Sequence, residues 1–247
     1  MLVSSSGPGQ RPFKAWCLSP RGFKSHHEYQ ILLNYMSNYS DNKKLLVINL
    51  HGGPGCGKST TAARLFCLLN IMGYKVELVT EYAKDLVYSD RVKQLSEQDY
   101  LFAKQNQRLR RLVDKVDIVI TDSSLINSIV YTPENFPSSF PLFVKEVYDS
   151  YTNINVLINR NHAYKNYGRV QNESEAVILH KKISQCLYDL GIKCTSFKTS
   201  DSIAQDIFNH LKTNSDFRNV PTIQTQSANA VIKRSINWIK NQYKSLF

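Results

Sequence analysis

The apolar run Leu45-Leu46-Val47-Ile48-Asn49-Leu50 ends a polar stretch at Ser37–Lys44, and the rhythm of the chain changes there. Short, nearly continuous apolar runs mark strands covered on both faces of a parallel sheet. The same type returns at Lys75–Thr80 (KVELVT), Asp117–Thr121 (DIVIT), Asn155–Asn159 (NVLIN) and Lys193–Phe197. Between these runs, apolar residues recur at helical spacing in Lys58–Met72, Ser96–Val113, Ser138–Tyr151, Glu173–Leu190 and Ser202–Leu211. Strands alternating with helices predict βαβ units joined by right-handed crossovers. The expected fold is therefore α/β: a five-stranded parallel sheet with helices on both faces, spanning 45–211.

The ends read differently. The first 22 residues are rich in Ser, Gly and Pro and predict a mobile arm, followed by a short helix over His26–Met36. Residues 213–228 read as a linker. Beyond it, Ile232, Ile236, Ile239, Tyr243 and Leu246 form one stripe of a terminal amphipathic helix, which is also a candidate oligomer seam over 229–247. This divides the chain into an N-terminal arm, 1–44, a core domain, 45–211, and a linker with a helix, 212–247.

Composition adds charge to this picture. Of the net +11, residues 1–44 carry +4 and residues 212–247 carry +5, leaving the core nearly neutral. Basic arms on a neutral core predict contact with a polyanion, and nucleic acid is the foremost candidate. Solvated arms, or arms that bind a partner protein, are the blander alternatives. Cys17, Cys56, Cys67, Cys186 and Cys194 include no C-x-x-C pair and no zinc-finger spacing to histidine. A disulfide scaffold or structural zinc is accordingly not expected, and a reducing cytoplasm is. No apolar run is long enough to span a bilayer, and the first residues lack the pattern of a signal peptide.

The chemistry starts where the first strand ends. In His51-Gly52-Gly53-Pro54-Gly55-Cys56-Gly57-Lys58-Ser59-Thr60, Gly52, Gly57, Lys58 and Ser59 fill the pattern G-x-x-x-x-G-K-[ST]. Backbone N–H groups of Gly53, Gly55, Cys56, Gly57, Lys58, Ser59 and Thr60 are expected to cradle ATP phosphates at a helix N-terminus. Lys58 would reach the β- and γ-phosphates, and the Ser59 hydroxyl would hold Mg²⁺. Asp122 closes the strand Asp117–Thr121, where a carboxylate faces the same crevice and orients Mg²⁺; its alternative is a helix cap. Glu81 closes the second strand and is the candidate to orient an acceptor hydroxyl and take its proton, with Asp85 a weaker one. The polar loop 159–169 reads as a lid that carries Arg169 and Arg160 toward the transferring phosphoryl group. Otherwise these arginines are surface residues or partners of Glu173 and Glu175. Gln98 and Gln105 are candidate readers of a base edge, though each is more simply a solvated helix residue. His51 is assigned no role.

Taken together, the phosphate loop, Thr80-Glu81-Tyr82-Ala83-Lys84-Asp85, Ile120-Thr121-Asp122-Ser123 and Gly168-Arg169 resemble the phage P-loop kinases. These are related to nicotinamide riboside kinase and, more distantly, to deoxynucleoside kinases. Within them the sequence resembles the 5-hydroxymethyluridine DNA kinase group, which phosphorylates the base hydroxymethyl in intact DNA during thymidine hypermodification. The resemblance covers about 45–200. It implies an ATP- and Mg²⁺-dependent kinase acting on DNA in a host bacterial cytoplasm. Lys58 and Ser59 match the phosphate and metal ligands, Glu81 the acceptor-side carboxylate, Asp122 the metal-side carboxylate and Arg169 the lid arginine. Ser124 stands where many relatives have proline. A kinase of a free deoxynucleoside, a nucleotide or a nicotinamide riboside-like substrate is the alternative, and a nucleotide-driven switch or DNA-associated motor is the second.

Overall fold

The computed structural model describes residues 44–165 and 170–224. Five strands, β1 (Leu46–His51), β2 (Val76–Val79), β3 (Ile118–Thr121), β4 (Thr152–Asn159) and β5 (Thr195–Lys198), form one sheet. Their order is β2-β3-β1-β4-β5, and every pairing is parallel. β1 lies at the centre, with Leu46 opposite Ile118 on one side and Thr152 on the other. All six of its residues are buried, which is why that run has no polar alternation.

Eight helices are described: α1 (Lys58–Ile71), α2 (Tyr82–Tyr88), α3 (Gln98–Arg110), α4 (Asn127–Val130), α5 (Phe140–Asp149), α6 (Glu173–Asp189), α7 (Ile203–Leu211) and α8 (Ser215–Arg218). The period-two geometry of β1 divides the core between the two faces of the sheet. Leu46, Ile48 and Leu50 pack with Leu65 and Leu69 of α1 and with Ile207 and Leu211 of α7. Val47 packs with Leu109 of α3, Val144 of α5 and Ile183 of α6. The α/β fold with a parallel five-stranded sheet is as expected, and the five long helices fall within their predicted spans.

Three details differ. β4 begins at Thr152, ahead of its apolar run, because pairing with Leu46 extends the ladder through alternating residues of which Ile154, Val156 and Ile158 are buried. The stretch between the second strand and α3, outside the predicted helical spans, forms α2 and a 3₁₀ turn at Val92–Ser96. The linker expected from residue 213 is also incorrect as far as the described residues reach. Asn214 Oδ1 accepts from the N–H groups of Asp216 and Phe217, so this Asn is helix-capping chemistry. Phe217 is 1% exposed, packs against Tyr74 and Phe208, and is followed by the bridge Tyr74–Thr222. The arm 1–43 and the predicted terminal helix lie outside the described residues.

Candidate active site

The phosphate loop joins β1 to α1 by a path that only glycine allows at two points. Gly52 has φ +138°, and a Cβ there would meet Cys56 Sγ and the Ile158 carbonyl at 2.7 Å. Gly57 has φ +89°, sits at the N-cap of α1, and a Cβ there would stand 2.8 Å from Thr199 Cγ2. A side chain at either position would meet left-handed strain and close atoms together.

A cavity of about 220 Å³ opens beside this loop. Gly55, Gly57, Lys58, Ser59, Thr60 and Glu81 line it, so most of the expected phosphate residues and the acceptor carboxylate share one space. Gly53 and Cys56 do not line it. The Gly53 N–H donates to His180 Nδ1 at 3.2 Å, and Cys56 is buried in the core. Lys58 Nζ donates to the Gly52 and Gly53 carbonyls at 2.7 and 3.0 Å, which holds the ammonium over the loop. Burial, reinforced by the charges of Lys58 and Arg160, lowers the His180 pKa, so its ring accepts the Gly53 proton as a neutral imidazole.

Asp122 follows β3 and is 2% exposed. It is not a helix cap, because α4 begins at Asn127 and is preceded by Ile126. Its Oδ2 lies 3.5 Å from Lys84 Nζ, and that same ammonium donates to Ser59 Oγ. Asp122 Oδ1 is buried with no hydrogen-bond partner among the described residues. Hard oxygen donors of this kind suit Mg²⁺.

Glu81 is the N-cap residue of α2, yet its side chain makes no cap hydrogen bond. It lines the cavity with Tyr131, whose phenol is pushed up by burial and then by the Glu81 carboxylate. Asp85 does not line the cavity; it pairs with Arg108. Arg108 also donates to the Thr80 carbonyl at 3.0 Å, so it ties α3 and α2 to the end of β2. Gln105, 5% exposed, accepts from the Tyr82 N–H at 3.0 Å and donates to the Thr80 carbonyl at 3.3 Å. Its amide is thereby engaged by backbone, although it borders the cavity. Gln98 is buried rather than solvated, donates to the Leu95 carbonyl at 2.7 Å, and lines the cavity.

Arg160 does not line the cavity. It pairs with Glu173 at 2.8 Å and stacks on the Tyr164 ring at 5.1 Å, the partner role among its two alternatives. Arg169 lies outside the described residues, but Val170 and Gln171 at the end of the same loop reach the cavity. Lys84, Asn127, Ser128 and Tyr131 also line the cavity and were not foreseen from the sequence. Lys84 offered no periodic signal, because Glu81 before it is extended and lies outside α2.

Residues 47–204 match the AAA domain family, which covers well over half of the chain. The chain belongs to the AAA domain family. No curated protein sequence matches it. Among solved structures, this AAA domain is similar to a NadR protein in complex with NR, with a TM-score of 0.56 and 17% identity. That alignment covers 74% of this chain and 59% of NadR. The deoxyadenosine kinase from M. mycoides aligns at a TM-score of 0.48 and 16% identity, over 68% of this chain and 100% of that one. The thymidylate kinase from Ehrlichia chaffeensis gives 0.45 and 14% over the same shares, 68% and 100%. The fold of the AAA domain is the one it shares with NadR, a parallel five-stranded sheet with helices on both faces. Among its described residues, no helix is long and apolar enough to cross a membrane.

Proposed function

We propose that this AAA domain is an ATP-dependent kinase that transfers the γ-phosphoryl group to the 5-hydroxymethyl group of hydroxymethyluridine in DNA. The observation that carries the kinase reading is the shared cavity. It joins the phosphate loop to Glu81 and continues into a chamber of mixed apolar and amide character formed by Val87, Leu95, Gln98, Leu101, Asn127 and Tyr131. Such a chamber suits a flat heterocycle with polar edges better than it suits water alone.

In this reading the acceptor oxygen attacks the γ-phosphorus in line while the bond to the β-phosphate oxygen breaks. ADP leaves with that electron pair, and the hydroxyl proton passes to the Glu81 carboxylate. Lys58 turns from the loop carbonyls to the phosphate oxygens. Ser59 Oγ and the Asp122 carboxylate would hold Mg²⁺, which neutralises phosphate charge when bound. Val170 and Gln171 border the chamber, and Arg169 is the arginine assigned to the phosphoryl group.

DNA as the acceptor is supported by the resemblance and by the basic residues of 1–44 and 212–247. A base inside a duplex must be turned out of the stack to enter such a chamber. The second reading, a free nucleoside or nucleotide, is favoured by the modest size of the cavity, about 220 Å³. Transfer of labelled γ-phosphate, assayed in parallel on hydroxymethyluridine-containing DNA, plain DNA and free nucleosides, tests both. Label confined to the modified DNA is expected. Label confined to free nucleosides transfers the assignment to the second reading. ATP hydrolysis with no labelled hydroxyl in any acceptor overturns the kinase.

A further inference from the structure

Lys84 stands on both residues to which the cation is assigned. Its ammonium donates to Ser59 Oγ and lies 3.5 Å from Asp122 Oδ2. Asp122 is 2% exposed, and burying a carboxylate is unfavourable unless a positive group stands beside it. Lys84 supplies that charge: it belongs to the first turn of α2 and reaches across from the acceptor side. Its own side chain is 37% exposed and also lines the cavity, so its flexible stem has room to turn away from Asp122.

We propose that Lys84 is a positioning residue of the cation site: its ammonium holds Ser59 and Asp122 together and yields its place to the divalent cation. The proposal rests on the reading of Ser59 and Asp122 as cation ligands. One ammonium and one divalent cation cannot share the same two oxygens, because like charges at contact distance repel strongly. Cation entry therefore releases Lys84 into the cavity that Glu81, the N-cap residue of α2, also lines. Loading on the metal side is in this way coupled to charge on the acceptor side. The released ammonium is then available to the transferring phosphoryl group.

The test is Mn²⁺ titration of the full chain without nucleotide, followed by electron paramagnetic resonance, for wild type, Lys84→Met, Lys84→Arg and Arg91→Met. Lys84→Met removes the competitor and is expected to bind Mn²⁺ at least roughly ten-fold more tightly, with Lys84→Arg near wild type. Arg91 contributes charge near Tyr82 and Tyr100, so Arg91→Met reports the general field. Equal tightening in Lys84→Met and Arg91→Met, or none in Lys84→Met, overturns the proposal. If adding Asp122→Asn to Lys84→Met leaves Mn²⁺ affinity unchanged, the cation-ligand reading itself falls, and the proposal with it. A measurement on wild type guards against a variant that does not fold. Acylation of the Lys84 amine, read by peptide mass spectrometry, is expected to accelerate on adding Mn²⁺, and an unchanged rate overturns the displacement.

Discussion

In the kinase reading, Glu81 and Asp122, which follow neighbouring strands, are given different work. Asp122 is sealed at the end of β3 with a lysine against one oxygen, an environment that keeps a charge fixed in place. Glu81 borders the open cavity beside Tyr131, where a proton can be exchanged with an acceptor. Glu81→Gln retains size and hydrogen bonding but cannot take the proton. Its phosphoryl transfer is expected to fall by roughly 10²-fold or more, with ATP affinity retained. Equilibrium binding of a fluorescent ATP analogue alongside single-turnover transfer checks this. A drop in ATP affinity with an unchanged transfer rate would place Glu81 on the nucleotide side instead.

At the scale of elements, the site depends on a buried polar network that ties β1, β4 and α5 together. His51 closes β1 with 0% exposure, and its Nε2 lies 3.0 Å from Asn155 Oδ1, which also accepts from the Tyr148 hydroxyl at 2.7 Å. The shared oxygen is an acceptor, so Nε2 carries the proton and donates. Burial lowers the His51 pKa from 6.5 to about 4, aided by the Lys58 charge and opposed by the Asn155 bond. The unfolded chain therefore binds this proton first. Stability is complete above pH 6.5 and declines as the pH falls from 6.5 toward about 4. The loss from this one group is on the order of 3 kcal/mol, and His180, lowered for the same reason, adds to it. Urea unfolding at pH 7.5 and 5.0 measures the decline, and His51→Asn is expected to flatten it. An equal pH dependence in the variant would assign the decline to other groups.

For the whole molecule, the question is how a nearly neutral core and basic ends divide their work. Residues 212–247 carry six Lys/Arg against one Asp/Glu, and Phe217 anchors the start of that segment in the core. Removal of 225–247, which leaves Phe217 in place, takes away Lys233, Arg234, Lys240 and Lys244. If these neutralise DNA phosphates, the slope of log affinity against log salt is expected to fall by about 0.9 for each phosphate no longer neutralised, with ATP affinity unchanged. Filter binding at several salt concentrations reads the slope. An unchanged slope with a smaller sedimenting mass would favour the oligomer seam.

Much of this is legible in the chain because it rests on local physics. The apolar runs mark central strands since both faces of a parallel sheet are covered, and the phosphate loop is spelled by glycines that its φ angles demand. Glu81 and Asp122 can be placed near that loop because strand ends in such a sheet open on one crevice. What the tertiary structure alone decided are the pairings between distant segments. Gln105 reads as a base-edge reader or a solvated helix residue, yet it and Arg108 are held by the end of β2, 25 and 28 residues earlier. Arg160 pairs with Glu173 in the first turn of α6, 13 residues on. Gly53 is taken out of the phosphate cradle by His180, 127 residues away. Lys84 meets Ser59 and Asp122 because α2 enters from the acceptor side. Contacts of this kind depend on which elements the fold makes neighbours, and no periodicity or spacing along the chain encodes that.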